Sequence, residues 1–341
     1  MDHASGSVER KSVRDISIKK ARVLVVGIGG IGAMCSYALD QGGKAEVTAV
    51  LRSNYDAVEQ DGFEIDSIQY GRISGWRPAS IRKAIPSVTS ESLPPFDFIL
   101  VTTKNTPDIP PSVSEIIAPA VTPGHTVIIL AQNGLNLKGP VISAFSSNPI
   151  LSSVTSNGSA FSNPNFEERI GEDAARRWIA VYNPDDRLET IYDPDLKRAP
   201  WRKLIYNASY NPVAAILGLD TPRMRMSRHI IDDLVRPIMR EIKAAAQASG
   251  VTGFPEDLPE IAIRGDPIDT GFKPSMAQDA EKGGFMEIEN IVGEPLREGT
   301  KRGVDMPTLR TVYGLLEGLQ LKVKETRGLW APGFEDGHPY A

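Results

Sequence analysis

The hydrophobic pattern divides the chain in two. In the first part, short strand-like runs recur: Val23 to Val26, Glu46 to Leu51, Phe96 to Thr103 and His125 to Ala131. Runs this short, rich in β-branched residues and lacking polar alternation, predict parallel strands buried on both faces. Gly62 to Gly71 and Gly75 to Ala84 read as short strands or a hairpin. From about Leu196 the apolar positions take helical spacing. There, Lys203, Asn207 and Asn211 stand at i, i+4 and i+8, so they share one helix face, and Pro212 predicts a kink. Helix interiors disfavour asparagine. A lysine aligned with two asparagines, set among Trp201, Leu204, Ile205 and Tyr206, therefore favours a polar pocket lining over a solvated face.

The pattern also predicts a long amphipathic helix from His229 to Ala248, ending near Gly250, and a closing helix from Pro307 to about Thr326. Between them Ser275 opens a short helix, with Gln278 placed for a capping box and Gly283 and Gly284 placed to end it. The break matters, because on one straight helix Ser275 and Glu287 would lie roughly 18 Å apart. Only an interrupted helix lets both reach one small molecule.

The most informative turn joins the first strand to a helical segment: Gly27-Ile28-Gly29-Gly30-Ile31-Gly32. A lone glycine pattern of this kind is weak, but strand before and helix after is the context of a dinucleotide loop. Gly27 permits the tight turn, Gly29 lets the backbone approach a pyrophosphate, and Gly32 allows close helix–strand packing. The helix N-terminus offers free N–H groups to the phosphates. The second strand ends on Arg52, Ser53 and Asn54, where an NAD site normally carries Asp or Glu. A cation there suits a 2′-phosphate, so NADPH is expected. Lys104 and Asn133 stand at the ends of two further strands, where ligands of doubly wound sheets bind.

Length and composition narrow the classes. The 341 residues predict about two domains. Apolar residues at 41% and charged residues at 24% exclude a disordered or collagen-like chain. The net charge is −5, which gives no broad basic field for nucleic acid. One cysteine, Cys35, excludes a disulfide framework and reads as a buried small residue, while four scattered histidines give no metal-ligand spacing, so no metal is expected. No run reaches the roughly 18 apolar residues of a membrane span. Residues 1–20 read as a mobile polar tail without a secretory or mitochondrial signal, and 331–341 read similarly, so a cytoplasmic location is expected.

These motifs together resemble the ketopantoate reductase (2-dehydropantoate 2-reductase) family. The likeness rests on the glycine loop with Arg52, Thr103-Lys104, Gln132-Asn133-Gly134, and the series Trp201, Lys203, Asn207, Asn211-Pro212. It extends through Pro274-Ser275-Met276 with Gln278-Asp279, then Glu287-Ile288 with Asn290, and Gly303-Val304 with Pro307. It covers about residues 21 to 325; the lysine helix and the serine block are more specific than the glycine loop.

The resemblance implies an α/β fold: a Rossmann-type dinucleotide-binding domain (21–193) followed by an all-α domain (194–330) like the C-terminal domain of 6-phosphogluconate dehydrogenase. It implies NADPH-dependent reduction of a 2-oxo acid to a 2-hydroxy acid, with ketopantoate to D-pantoate, in pantothenate biosynthesis, as first choice. Lys203 is then the general acid and Glu287 the carboxylate that binds the substrate hydroxyl and steadies the lysine. Ser275 and Asn207 hold the substrate, Asn211 lies on the same face, and Lys104 and Asn133 line the cofactor and substrate cleft. A proton donor beside the forming alkoxide is the chemistry that hydride delivery to a ketone requires.

The segment from Thr155 through Asn163-Pro164 to the charged run Glu167–Arg177 departs from the family, which has a longer β-rich stretch there; one or two edge strands are expected to be missing or rebuilt. The family's chemistry on another branched 2-oxo acid, such as 2-oxoisovalerate in secondary metabolism, is the runner-up. The 3-hydroxy acid dehydrogenases also pair a helix lysine with an asparagine, but the Ser275-to-Glu287 block argues against them. A non-catalytic NADPH-binding redox sensor is the alternative from another class, and it has no need of Lys203 and Glu287 together. The apolar terminal helices allow a homodimer without requiring one.

Overall fold

The computed structural model describes residues 19–67, 69–155, 159–162, 168–193, 196–334 and 336–340. Residues 1–18 of the polar tail, and Asn163-Pro164 with its neighbours, lie outside the described residues. Among the described residues no helix is long and apolar enough to cross a membrane, and no cluster of His, Cys, Asp and Glu could hold a metal.

The apolar runs form β1 (Ala21–Val26), β2 (Ala45–Val50), β6 (Phe98–Val101) and β7 (Val127–Leu130); β3 (Phe63–Ser67), β4 (Gly71–Trp76) and β5 (Ser80–Arg82) lie between β2 and β6. β8 (Ile150–Thr155) follows β7. β5, β2, β1, β6, β7 and β8 lie side by side in that order, all parallel. The order runs outward in both directions from β1 and β6, so their carboxyl ends frame the switch-point crevice of a doubly wound sheet. β3 and β4 pair antiparallel as a separate hairpin.

The buried runs explain this arrangement. Val23 and Val25 pack with Cys35, Leu39 and Trp178 on one face, and Leu24 and Val26 with Ile117 and Val141 on the other. A strand buried on both faces has no position for a polar side chain, hence the continuous apolar run. Cys35 is buried, its thiol pushed up by burial, and the Tyr182 hydroxyl donates to its Sγ at 3.5 Å.

Beyond β8 the sheet is extended by β9 (Ser159–Ser162), antiparallel to β8, and β10 (Thr190–Tyr192), parallel to β9. The charged run forms most of the helix Glu168–Tyr182 between them. Ala174, Ala175 and Trp178 of this helix are buried, whereas Asp173, Arg176 and Arg177 occupy an outer face.

The second part is helical and has its own core, with Trp201, Tyr210, Met276 and Leu316 among its members. The closing helix spans Pro307–Thr326 as predicted. Three local expectations need correction. The lysine helix, Arg198–Asn207, ends at Ala208 instead of kinking at Pro212, and a new helix, Tyr210–Leu217, follows. Ser209 Oγ donates to the Ile205 and Tyr206 carbonyls there, and Pro212 falls in the first turn of the second helix, where its missing N–H is not needed. The helix expected from His229 begins with a π-helical turn, Ile230–Val235, before the regular Arg236–Ala248. The capping box at Ser275 does not form: Pro274 is the cap residue, Ser275 is already helical, and Gln278 Nε2 donates to the Lys273 carbonyl at 2.9 Å.

Candidate active site

The glycine loop begins where β1 ends. Gly27 has φ +94°, and a Cβ there would lie 2.5 Å from the Thr103 nitrogen. A Cβ on Gly32 would lie 2.2 Å from the Gly27 carbonyl oxygen. These two are packing glycines. Gly29 and Gly30 differ, since a Cβ on either would meet nothing within 4 Å, leaving the backbone open. The helix Gly30–Gln41 starts on Gly29 with no side-chain cap and no acidic residue in its first turn. Its N–H groups and partial positive charge face open space, which fits a dinucleotide pyrophosphate. Ile28 is buried against the sheet, whereas Ile31 is exposed. Arg52 and Ser53 are exposed at the end of β2. Asn54 turns inward instead, and its Nδ2 donates to the Ile28 carbonyl at 3.3 Å, which braces the loop.

Glu287 comes from the helical part, three residues beyond the Gly283-Gly284 break, and is 7% exposed. Its Oε1 accepts the Asn105 N–H at 3.0 Å and its Oε2 accepts from Asn133 Nδ2 at 3.2 Å. One carboxylate thus joins the loops after β6 and β7. Burial pushes its pKa up, and these two donors oppose the rise. Lys203 is pulled down to about 8, first by burial, with the negative charge of Glu287 acting against the fall. The nearby charge of Lys104 likewise favours the ionised Glu287.

Lys104 forms an ion pair with Asp279, one helical turn beyond Ser275. Burial raises the Asp279 pKa and Lys104 restrains it. Gln132 Nε2 donates to the Thr103 carbonyl at 2.9 Å and ties the ends of β6 and β7 together. The structure therefore assembles Lys104, Asn133, Glu287 and Lys203 from both parts of the chain. Asn207 is half-buried and follows Lys203 by one turn on the same helix. Asn211 is buried and belongs to the next helix, so the three do not share one continuous helix face. Ser275 is exposed at the start of its own short helix.

Several contributors leave no clear mark in the sequence. Asn105 acts through its backbone, to which its side-chain identity is irrelevant. Asp279 belongs to the serine block, but its pairing with Lys104 needs the fold. Gln320, 1% exposed, accepts the Met286 N–H at 3.1 Å and donates to the Met286 carbonyl at 3.2 Å, fixing the residue before Glu287. The same amide lies 3.4 Å from Asp108, which pairs with Lys324 at 2.9 Å. Asn290 and Leu135 exchange bonds of 2.8 Å across the two parts, and a Cβ on Gly134 would sit 2.5 Å from Asn290. In the Asn133-Gly134-Leu135 segment, glycine is the residue that lets the backbone come so near.

A doubly wound sheet with an open glycine loop, meeting a helical domain that carries a half-buried lysine and a buried carboxylate, defines the class of two-domain dinucleotide-dependent oxidoreductases. The chain belongs to the ketopantoate reductase family: the model described as ketopantoate reductase PanE/ApbA matches residues 23–169, and its C-terminal counterpart matches residues 195–320. The family comprises oxidoreductases that use a nicotinamide dinucleotide.

An uncharacterized protein of Saccharomyces cerevisiae is 33% identical over 91% of this chain and 96% of its own. The crystal structure of 2-dehydropantoate 2-reductase from Methylococcus capsulatus matches at TM-score 0.69 and 27% identity, covering 89% of this chain and 97% of that one. A D-mandelate dehydrogenase solved with NADH and anilino(oxo)acetate shares the fold at TM-score 0.70 and 18% identity, covering 89% and 99%.

Proposed function

We propose that the protein reduces a 2-oxo acid to its 2-hydroxy acid with NADPH, and that 2-dehydropantoate to D-pantoate is its principal reaction. The observation that carries this reading is the half-buried Lys203 within the field of the buried Glu287, which is itself bonded to both loops at the strand ends.

NADPH would lie with its pyrophosphate on the Gly29 and Gly30 amides and its 2′-phosphate near Arg52; when bound, it supplies hydride to the substrate's ketone carbon. Lys203 donates the proton to the ketone oxygen as negative charge develops there. With a pKa of about 8 it is mostly charged at neutral pH, yet gives up its proton more readily than an ordinary lysine. Glu287 keeps the ammonium charged and accepts a hydrogen bond from the substrate hydroxyl. Asn207 and Ser275 hold the substrate, including its carboxylate, with Asn211 beside them. Lys104, restrained by Asp279, and Asn133 line the cleft.

Two features support the pantoate choice and the cofactor choice respectively: the family to which the chain belongs, and the exposed Arg52 where an acidic ribose partner would otherwise stand. NADPH oxidation by the purified protein, followed by absorbance, tests both. Ketopantoate, 2-oxoisovalerate and other 2-oxo acids are compared, with NADH as the control. Ketopantoate with NADPH is the expected best pair. Preference for another 2-oxo acid would overturn the substrate but keep the chemistry. NADPH binding without turnover of any of them would overturn catalysis in favour of a sensor.

A further inference from the structure

A cavity of about 500 Å³ opens among the helices of the second domain, and none of the reductase-cleft residues lines it. Its wall includes part of the π-helical turn Ile230–Val235, a backbone form that often accompanies functional sites. Four arginines face it, Arg225, Arg228, Arg236 and Arg264, against two carboxylates, Asp232 and Glu260. The local charge is therefore +2 in a chain whose net charge is −5.

The pairing within the cavity is uneven. Arg236 engages both carboxylates, bonding to Asp232 and, at 2.5 Å, to Glu260. Arg228 shares Asp232 at 3.0 Å and is itself 90% exposed. Arg225 uses one nitrogen on the Asp266 carbonyl, at 2.9 Å, and has no carboxylate partner among the described residues. Arg264 acts on Glu260 only through its charge and forms no ion pair with a described residue. Two guanidinium groups of the cavity wall thus have no ion-paired carboxylate among the described residues. Arg225 is also held in place, because the Asp266 carboxylate accepts from Tyr206 and, at 2.9 Å, from Thr221.

We propose that this cavity binds a small dianion, a phosphate ester or a dicarboxylate, whose oxygens are taken by Arg225, Arg228 and Arg264. Planar guanidinium groups match carboxylate and phosphate oxygens in pairs, and Arg225, already held on the Asp266 carbonyl, loses less freedom on binding than the exposed Arg228 and Arg264. The volume suits a metabolite rather than a protein segment.

Calorimetric titration tests the assignment, with inorganic phosphate and succinate as separate probes and the protein saturated with NADPH so that its dinucleotide site is occupied. The comparison protein is the double variant Arg228→Ala/Arg264→Ala, which leaves Arg236 and its two carboxylates in place, and its fold is checked by circular dichroism. We expect saturable binding of at least one probe, weakened about tenfold or more in the double variant and weakened by added salt. The tighter probe identifies the ligand class. Absence of saturable binding by both probes, or equal affinity in the folded double variant, would overturn the proposal.

Discussion

In the glycine loop the groups offered to a ligand are backbone amides, and side chains matter through their absence. Around Lys203 and Glu287 the working groups are side chains, and what surrounds them sets their charge. Adding one carbon at Gly32 collides with backbone 2.2 Å away, whatever the pH. Lys203, by contrast, moves from an ordinary lysine to about 8 because it is buried, and Glu287 tempers that fall. Shape made of backbone is set by steric contact and does not change with pH; reactivity made of buried charge depends on the charges and solvent around it.

The independence of the two regions is tested most directly at Lys203. Lys203→Ala should lower kcat by roughly 10²–10⁴, the usual worth of a general acid. NADPH affinity, read by fluorescence titration, should stay unchanged; its loss alongside kcat would show that the two regions are not separable.

Gly32→Ala is the converse. The loop must shift, and NADPH binding should weaken by roughly 10–100-fold, or about 1.4–2.8 kcal/mol. Wild-type affinity in a folded variant would mean that the loop does not hold the cofactor.

Gln320→Leu strips Met286 of both backbone partners. With two buried polar groups unmet, urea unfolding should reveal a loss of about 2 kcal/mol. A neutral result would leave Gln320 without a part in placing Glu287.

Arg52→Ala should cost about tenfold in NADPH affinity, equivalent to about 1.4 kcal/mol, and leave NADH unchanged. Equal losses for both cofactors would point to damage of the loop instead of a missing phosphate contact.

The smallest effect concerns pH. With Lys203 as the proposed proton donor, kcat/KM should be lost as pH rises through about 8. Because Glu287 raises the lysine pKa, Glu287→Gln should move that alkaline limb to lower pH. A limb that stays put would mean that another group titrates.

Legibility in the sequence follows the range of the interactions. The β1 run, the glycine turn and the helix Pro307–Thr326 are written in neighbouring residues, so period and composition suffice. The end of the lysine helix is harder to place because proline is a strong breaker in general, while here Ser209, a weaker local competitor, interrupts first. The capping box fails for a similar reason: residue types fit, but Pro274 takes the cap position. Gln320 is hidden because a glutamine in an amphipathic helix reads as surface until its burial is known.

Local chemistry along the chain determined the parallel strands, the open glycine loop, the aligned Lys203 and Asn207, and the break that frees Glu287 from Ser275. Those features need only steric rules and periodicity. Tertiary structure alone decided that Glu287 takes the Asn105 N–H from 182 residues away and the Asn133 amide from 154, that Lys104 pairs with Asp279, and that Lys203 is buried enough to titrate near 8. The physical reason is that a charge's cost and its partners are properties of the space around it, and that space is filled by residues far apart in the chain.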